Sequence, residues 1–203
     1  MERDFANDIR IEDVVSNVRV YDLKESIMAA GYPMRTSIMD YNEPLSTKDF
    51  DRMVNLIKAT EKDNQAHGQF LSGIRVNFDL TFSNKAWVEM ERYRFVSFIS
   101  SQSTMHRIVK FDIDSSYNNF VDPRMIQIMR ELITAYEDNP TKENYLKILY
   151  SNPSGFKITA RLATNYRCLR NIYKQRKNHR LPEWRVFCKW IETLPYAAEL
   201  LIN

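Results

Sequence analysis

Hydrophobic and polar residues alternate strictly over ten positions in the middle of the chain. Successive side chains of a β-strand point to opposite faces of its sheet, so this alternation predicts a strand with one buried face. The apolar positions are Ile74, Val76, Phe78, Leu80 and Phe82. Further strands are predicted at 18–23, 107–113 and 156–163.

Other segments repeat their apolar residues at helical spacing. After Ser46, a residue type that caps helices, apolar side chains follow at intervals of three and four from Phe50 to Ile57, which predicts an amphipathic helix. Asp122 followed by proline is a strong helix start. Further helices are predicted from Ser83 through Arg94, from Thr141, from Thr164 and from Pro182.

The inner faces of two of these helices can be read from the same spacing. In the helix after Asp122 they are expected to be Met125, Met129, Leu132, Ile133 and Tyr136, and in the helix after Thr141 they are Tyr145, Leu146 and Leu149. The polar stretch at 97–104 interrupts any helical pattern.

Helices and alternating strands occur without a regular βαβ rhythm. This order predicts an α+β fold with a largely antiparallel sheet packed against helices. A chain of 203 residues without a Pro/Gly/Ser-rich linker is expected to form one domain spanning residues 1–203.

Composition excludes several functional classes. The four glycines are scattered, which excludes the glycine-rich loops of dinucleotide and P-loop sites. The three histidines and two cysteines lack ligand spacing, so no metal site is expected. The charged N-terminus and the absence of a long apolar run indicate a soluble, cytoplasmic protein without a membrane partner.

Positive charge is concentrated near the C-terminus. Residues 165–189 contain eight Lys or Arg and one acid, Glu183, so this segment carries +7. Because the whole chain carries +3, the remainder carries −4. This asymmetry indicates a local anion site, although a solvated helix face is the alternative.

Two clusters combine arginines with amides or hydroxyls. The first lies on one predicted helix, where Arg167 and Asn171 are four residues apart and share a face. Arginine pairs bidentately with phosphate oxygens, and amides suit the edge of a heterocycle. The second cluster contains Arg92 and Arg94, followed by a run of hydroxyl residues that ends in Ser103 and Thr104.

Taken together, the two clusters resemble the flavin-dependent thymidylate synthases. That family has an Arg-His-Arg signature followed by a serine, with a histidine upstream and an Asn/Arg/Asn/Arg helix near the C-terminus. The resemblance covers residue 66 to the C-terminus and is most specific between 165 and 184. The matching positions are His67, Arg92, Arg94, Ser103, Asn165, Arg167, Asn171 and Arg176.

The resemblance implies a homotetramer with active sites shared between subunits. It implies FAD as cofactor, with NADPH and methylenetetrahydrofolate as co-substrates, and reductive methylation of dUMP to dTMP. By position, flavin would contact His67, Arg94, Asn165, Arg167 and Asn171. The nucleotide and the chemistry would involve Arg92, Ser103 and Arg176, with Glu89, Arg107 and Lys147 as further substrate contacts.

Several positions depart from the family pattern. The central histidine of the signature is Tyr93, and seven residues after Arg94 the chain has Gln102, with Ser103 one position later. Two residues after this serine the family has an arginine, but this chain has Met105. Arg107 is the nearest arginine that could replace it. Lys147 stands where a further arginine is expected. The glutamine before the signature is Glu89, which places a carboxylate where a nucleotide would approach.

Two other functions remain open from the sequence. Tyr166, Tyr173 and Trp184 are interleaved with the basic residues of 165–189, as in a module that stacks nucleic-acid bases. Acidic charge in the remainder of the chain disfavours a long polyanion. The third possibility is an oligomeric family member that has lost catalysis.

Overall fold

The computed structural model describes residues 4–62 and 65–202. Its sheet contains four strands that pair in the order β1-β2-β4-β3, and every pair is antiparallel. The predicted α+β class with an antiparallel sheet is therefore confirmed. The strands are β1 (Val15–Tyr21), β2 (Arg75–Ser83), β3 (Ser97–Ser101) and β4 (Lys157–Asn165).

Helices surround this sheet. The α-helices are α1 (Leu23–Ala29), α2 (Thr47–Lys62), α3 (Asn84–Met90), α4 (Thr104–Arg107), α5 (Pro123–Asp138), α6 (Lys142–Ser151), α7 (Tyr166–Arg176) and α8 (Pro182–Glu192) in the described ranges. Short 3₁₀ turns occupy 5–8, 11–13, 32–34, 65–72 and 108–110, and the chain ends in a π-helical turn at Ala198–Ile202. No helix in the described ranges is long and apolar enough to cross a membrane.

The alternating face of β2 builds the main core. Phe78 and Phe82 have no exposed surface, and their rings pack on helix α8. The Phe78 ring centroid lies 4.7 Å from that of Trp190, and the Phe82 centroid lies 5.0 Å from that of Trp184. Burying such aromatic side chains stabilises the fold by about 1.5–3 kcal/mol each. This core fixes helices α7 and α8 on one face of the sheet.

A smaller core joins α5 and α6 to the start of β4. Met129 of α5, Ile148 of α6 and Phe156 are all fully buried together with Ile108. Asp122 caps α5, because its carboxylate accepts the Arg124 backbone N–H at 2.9 Å, as the sequence predicted. The predicted inner faces of these helices are wrong at two positions. Met125 and Leu146 are 39% and 36% exposed and do not belong to this core.

The prediction of a strand at 107–113 is wrong. Residues 104–110 form the short helix α4 and a 3₁₀ turn, in which Ile108 is buried in the smaller core. A strand forms instead in the polar stretch at Ser97–Ser101, where Phe98 pairs with Leu162 of β4. All five residues of this strand are exposed. Because neither face is buried, its sequence has no alternation of apolar and polar residues by which the strand could be predicted.

The helix predicted from Ser83 ends earlier than expected. Ser83 caps it through its hydroxyl, which accepts the Ala86 backbone N–H, but the helix ends at Met90. Arg92 and Arg94 therefore lie in the turn that connects α3 to β3, not on two sides of a helix.

Candidate functional site

The turn at 91–96 runs beside helix α7, so the two arginine clusters converge. At one end of α7, the Thr164 hydroxyl donates a hydrogen bond to the Phe95 carbonyl at 2.8 Å. At the other end, the Tyr93 hydroxyl donates to Gln175 Oε1 at 2.9 Å. Both contacts join segments more than 60 residues apart in the sequence, and they position the Arg92–Arg94 turn along the helix.

Arg176, at the C-terminal end of α7, is held by three side chains. Its Nε donates to the Tyr93 hydroxyl at 2.8 Å, and its Nη1 lies 2.5 Å from Glu89 Oε2. The guanidinium carbon lies 4.8 Å from the centre of the Trp184 ring, within cation–π distance. The side chains of Arg176 and Glu89 retain only 15% and 21% exposure, so solvent screens this ion pair weakly.

His179 completes this cluster. Its Nδ1 accepts the Leu181 backbone N–H at 3.2 Å, which leaves the proton of a neutral ring on Nε2. Nε2 lies 3.0 Å from Glu89 Oε2 and donates to it. Burial, followed by the charges of Arg176 and Arg185 against the opposing charge of Glu89, lowers the pKa of His179. Glu89 Oε2 thus accepts two N–H groups.

Three other arginines assigned from the sequence present free guanidinium groups. Arg92, Arg94 and Arg107 are exposed, and within 4–62 and 65–202 none of their side chains makes a hydrogen bond or ion pair. An arginine without an acidic partner keeps all five N–H donors available to an anionic ligand.

Besides Arg94 in the 91–96 turn, the other four flavin-assigned residues lie at the start and in the first half of α7 and in the 3₁₀ turn at 65–72. Asn165 caps α7, because its Oδ1 accepts the Cys168 backbone N–H at 2.9 Å. Arg167 donates to Gln69, which joins the helix to the turn that contains His67. Asn171 and His67 are exposed. The structure therefore brings these four positions to one region of the fold.

Ser103 and Lys147 are placed differently. Ser103 precedes α4 and its hydroxyl makes no cap hydrogen bond, whereas Gln102 Oε1 accepts the Thr159 backbone N–H at 2.9 Å. Of these two neighbours, Ser103 is therefore the one available to a ligand. Lys147, on α6, forms an exposed pair with Glu143 at 2.9 Å. No contact between Lys147 and the Arg176 cluster is present in the described residues.

Much of the positive charge at 165–189 is neutralised within the protomer. Arg170 and Lys174 both contact Glu61, Arg176 pairs with Glu89, and Arg185 pairs with Asp4. The segment therefore presents far less free charge than its composition indicates. Arg92 and Arg94, which lie in the 91–96 turn outside this segment, make no ion pair in the described residues.

Four residues of this region were not selected as ligand contacts from the sequence. Tyr93 and His179 hold the Arg176–Glu89 pair, and Gln69 holds Arg167. Arg75 is exposed and lies opposite Asn165 in the β2–β4 register. Of these four, only Arg75 lies on a strand that the sequence predicted. Its position opposite Asn165 becomes known once the pairing of β2 with β4 is known.

Within residues 4–62 and 65–202, no group of three or more His, Cys, Asp or Glu residues is arranged to hold a metal ion. Cys168 and Cys188 are buried, and desolvation raises both thiol pKa values, that of Cys188 to about 12. A thiol with a raised pKa is a poor nucleophile at neutral pH.

A separate cavity of about 860 Å³ lies near the end of β2 and the start of β4. Its walls include Lys85, Lys157, Arg180 and the buried carboxylate of Glu183. None of the residues assigned to flavin or nucleotide lines it, so it is distinct from the region around α7.

The fold is similar to that of two enzymes of known structure. The flavin-dependent thymidylate synthase of Helicobacter pylori complexed with FAD and dUMP superposes with a TM-score of 0.70, at 18% identity, over 93% of this chain and 98% of that chain. The UMP/dUMP methylase PolB of Streptomyces cacaoi bound with 5-Br dUMP gives 0.62 at 14% identity, over 88% of each chain. Neither the protein-family models nor the curated proteins match this sequence.

Proposed function

We propose that this protein is a divergent flavin-dependent methylase that binds FAD and a pyrimidine nucleoside monophosphate, with reductive methylation of dUMP to dTMP as the reference reaction. The observation that carries the proposal is the contact between the Arg92–Arg94 turn and helix α7. It brings together, in a fold shared with two nucleotide-binding enzymes, the two motifs on which the resemblance depends.

The flavin-assigned residues fit an anionic cofactor with a heterocyclic ring. Arg94 offers an unpaired guanidinium to a diphosphate, and Asn171 offers an exposed amide on α7. Arg167 is fixed by Gln69, and His67 lies in the same turn as that glutamine. When bound, the reduced flavin would supply hydride, and these residues would orient its ring.

The nucleotide would lie between the 92–107 segment and the end of α7. Arg92, Arg107 and Ser103 have free donors for a phosphate, since each is without a hydrogen bond from its side chain in the described ranges. Arg176 and Glu89 would face the base. Charged hydrogen bonds to phosphate are worth about 1.5–3 kcal/mol each. Lys147 would reach a nucleotide only from a second subunit.

The remaining parts of the proposal follow from the resemblance. Methylenetetrahydrofolate would donate the one-carbon unit and NADPH would reduce the flavin. The enzyme would be a cytoplasmic homotetramer in which each site combines residues from more than one subunit. The position of Lys147 on α6, away from the Arg176 cluster, agrees with such sharing.

An absorbance titration tests the proposal. Adding FAD to the purified protein should produce bound-flavin bands, and adding dUMP should shift them. Arg94→Ala should weaken FAD binding at least tenfold because it removes a diphosphate contact, whereas Arg19→Ala, at an exposed arginine on β1, should not. A spectrum that stays unchanged by both ligands would contradict the proposal.

A nucleic-acid-binding module is less well supported. The basic residues of 165–189 that would contact a polyanion are largely engaged with Glu61, Glu89 and Asp4. Tyr166, Tyr173 and Trp184 are buried and offer no stacking surface. Salt-sensitive binding of a labelled oligonucleotide without flavin would favour this function instead.

A further inference from the structure

The Glu89–Arg176 pair presents one acceptor beside one donor. Glu89 Oε2 is occupied by Arg176 Nη1 and His179 Nε2, whereas Oε1 has no hydrogen-bond partner in the described part of the chain. Arg176 Nε is occupied by Tyr93, and Nη2 is left without a partner among the same residues. The same ion pair therefore contains one carboxylate oxygen and one guanidinium nitrogen that have no partner in the described residues.

The pair is rigid enough to select a ligand. Arg176 is stacked near Trp184 and Tyr93, and the three hydrogen bonds just named fix both partners. Because both side chains retain 15–21% exposure, they remain reachable from solvent. A preorganised polar pair of this kind favours the ligand whose donors and acceptors match it and rejects one that leaves like charges opposed.

We infer that this pair makes the base site selective for cytosine over uracil, so that the preferred nucleotide is dCMP-like. The inference rests on the proposed function, since it assigns a base to the nucleotide of that site. Cytosine presents its N4 amino group as a donor beside the acceptors N3 and O2, and carboxylates recognise that amino group. Glu89 Oε1 accepts from N4, and Arg176 Nη2 donates to N3.

Uracil matches the same pair less well. Its N3–H can donate to Glu89 Oε1 while one carbonyl accepts from Arg176. The second carbonyl then flanks the carboxylate, because both uracil carbonyls adjoin N3, and two oxygens with negative charge repel each other. With cytosine, the remaining acceptor, O2, lies on the guanidinium side and is attracted. The difference favours cytosine in either orientation of the uracil ring.

The test is a calorimetric titration of the full-length, FAD-loaded protein with dCMP and with dUMP. We expect dCMP to bind at least tenfold more tightly. If both bind and dUMP is equal or tighter, the cytosine inference is overturned while the proposed function stands. If neither nucleotide binds, both are overturned.

Two further measurements assign the selectivity to Glu89. Glu89→Gln should bring the dCMP/dUMP affinity ratio close to one, because an amide can both donate and accept. Glu91→Gln, an exposed neighbour at the end of α3, should leave the ratio unchanged. An unchanged ratio in Glu89→Gln would refute the assignment.

The wild-type protein provides a test that does not depend on a variant folding. The 2-pyrimidinone deoxynucleoside monophosphate keeps N3 and O2 but lacks the N4 amino group. It should bind at least tenfold more weakly than dCMP, since it loses the contact to Glu89. Binding as tight as that of dCMP would overturn the inference.

Discussion

Asn165 serves helix α7 and, by the resemblance, the flavin as well. Its Oδ1 caps the helix by accepting the Cys168 N–H, and its amide N–H₂ keeps two donors for a cofactor. Asn171, six residues further along, is exposed and has no part in capping. The two asparagines of the motif therefore differ in what they contribute to stability.

Replacing these asparagines should separate stability from binding. Asn165→Ala should lower the free energy of unfolding by about 1 kcal/mol, because it removes an N-cap. Asn171→Ala should change it by less than about 0.5 kcal/mol. Asn165→Asp, which retains a capping oxygen, should restore stability. Urea denaturation of the apoprotein measures all three, and equal losses in the two alanine variants would contradict the capping role.

Glu183 is a buried carboxylate whose protonation should affect stability. It accepts the Ser83 backbone N–H at 2.7 Å and the Ser83 hydroxyl at 2.9 Å. Desolvation nevertheless outweighs these bonds and raises the pKa of Glu183 above its ordinary 4.5. Because the folded-state pKa exceeds the unfolded one, its contribution is complete below about pH 4.5 and is lost as pH rises through the raised pKa.

Glu183→Gln should remove this pH dependence. Relative to the variant, the wild-type protein should lose stability between pH 4.5 and the raised pKa and show a constant difference above it. Chemical denaturation at a series of pH values from 4 to 8 measures the difference. Parallel curves for the two proteins over this range would show that Glu183 titrates normally.

At the scale of elements, α7 is joined to the rest of the fold by charge as well as by its apolar face. Arg170 is buried and donates to the Leu200 carbonyl at 2.7 Å and to Glu61 at 2.8 Å. Lys174, one turn later, reaches the same Glu61 at 2.9 Å but is 46% exposed. The helix thereby contacts both α2 and the C-terminal turn.

Arg170 and Lys174 should contribute differently to the free energy of unfolding, although both contact Glu61. Arg170→Ala should destabilise the protein by about 1–3 kcal/mol, because it leaves the Leu200 carbonyl without its donor and removes a buried side chain. Lys174→Ala should cost at most about 1 kcal/mol, as for an exposed ion pair. Guanidinium denaturation measures both, and similar values would mean that Arg170 is not the tether.

The elements that sequence patterns predicted and those that they missed differ in their burial. Strand β2 was predicted because one of its faces is fully buried, and α2 and α5 because they begin at capping residues. Strand β3 was missed because all of its residues are exposed at the sheet edge. The segment 107–113 was misassigned because its apolar residues pack into the smaller core as a turn.

At the scale of the whole molecule, the edge strand β3 is the surface most suited to self-association. Phe95 is 73% exposed and Ile99 is 62% exposed, and in the described chain β3 pairs only with β4. Exposed apolar edge strands usually pair with or are covered by another chain. The proposed homotetramer would satisfy this requirement.

Ile99→Lys should therefore dissociate the oligomer. A charged side chain at the edge opposes strand addition and burial. Sedimentation velocity should show a species of about four times 24.1 kDa for the wild type and a smaller one for the variant. Met34→Lys, at another highly exposed apolar residue on a separate loop, should not change the assembly. A monomeric wild-type protein would contradict the proposed tetramer.

The sequence by itself determined what depends on local order. Alternation placed β2, capping residues began α2 and α5, and the order of segments indicated an antiparallel α+β fold. The motif spacing also placed Asn165, Arg167 and Asn171 on or at the start of one helix. These features depend on neighbours within a few residues, and such neighbours can be read directly from the chain.

Only the tertiary structure decided how the charges are paired. Arg176 and Glu89 are 87 positions apart, and Glu89 lowers the free charge of a helix whose composition indicated an open anion site. Arg92 and Arg94 of the 91–96 turn make no ion pair in the described residues, whereas acidic residues on other elements reach Arg170, Lys174 and Arg176 of α7. Such pairing depends on how elements pack, since opposite charges in weakly screened contact attract irrespective of their separation in sequence.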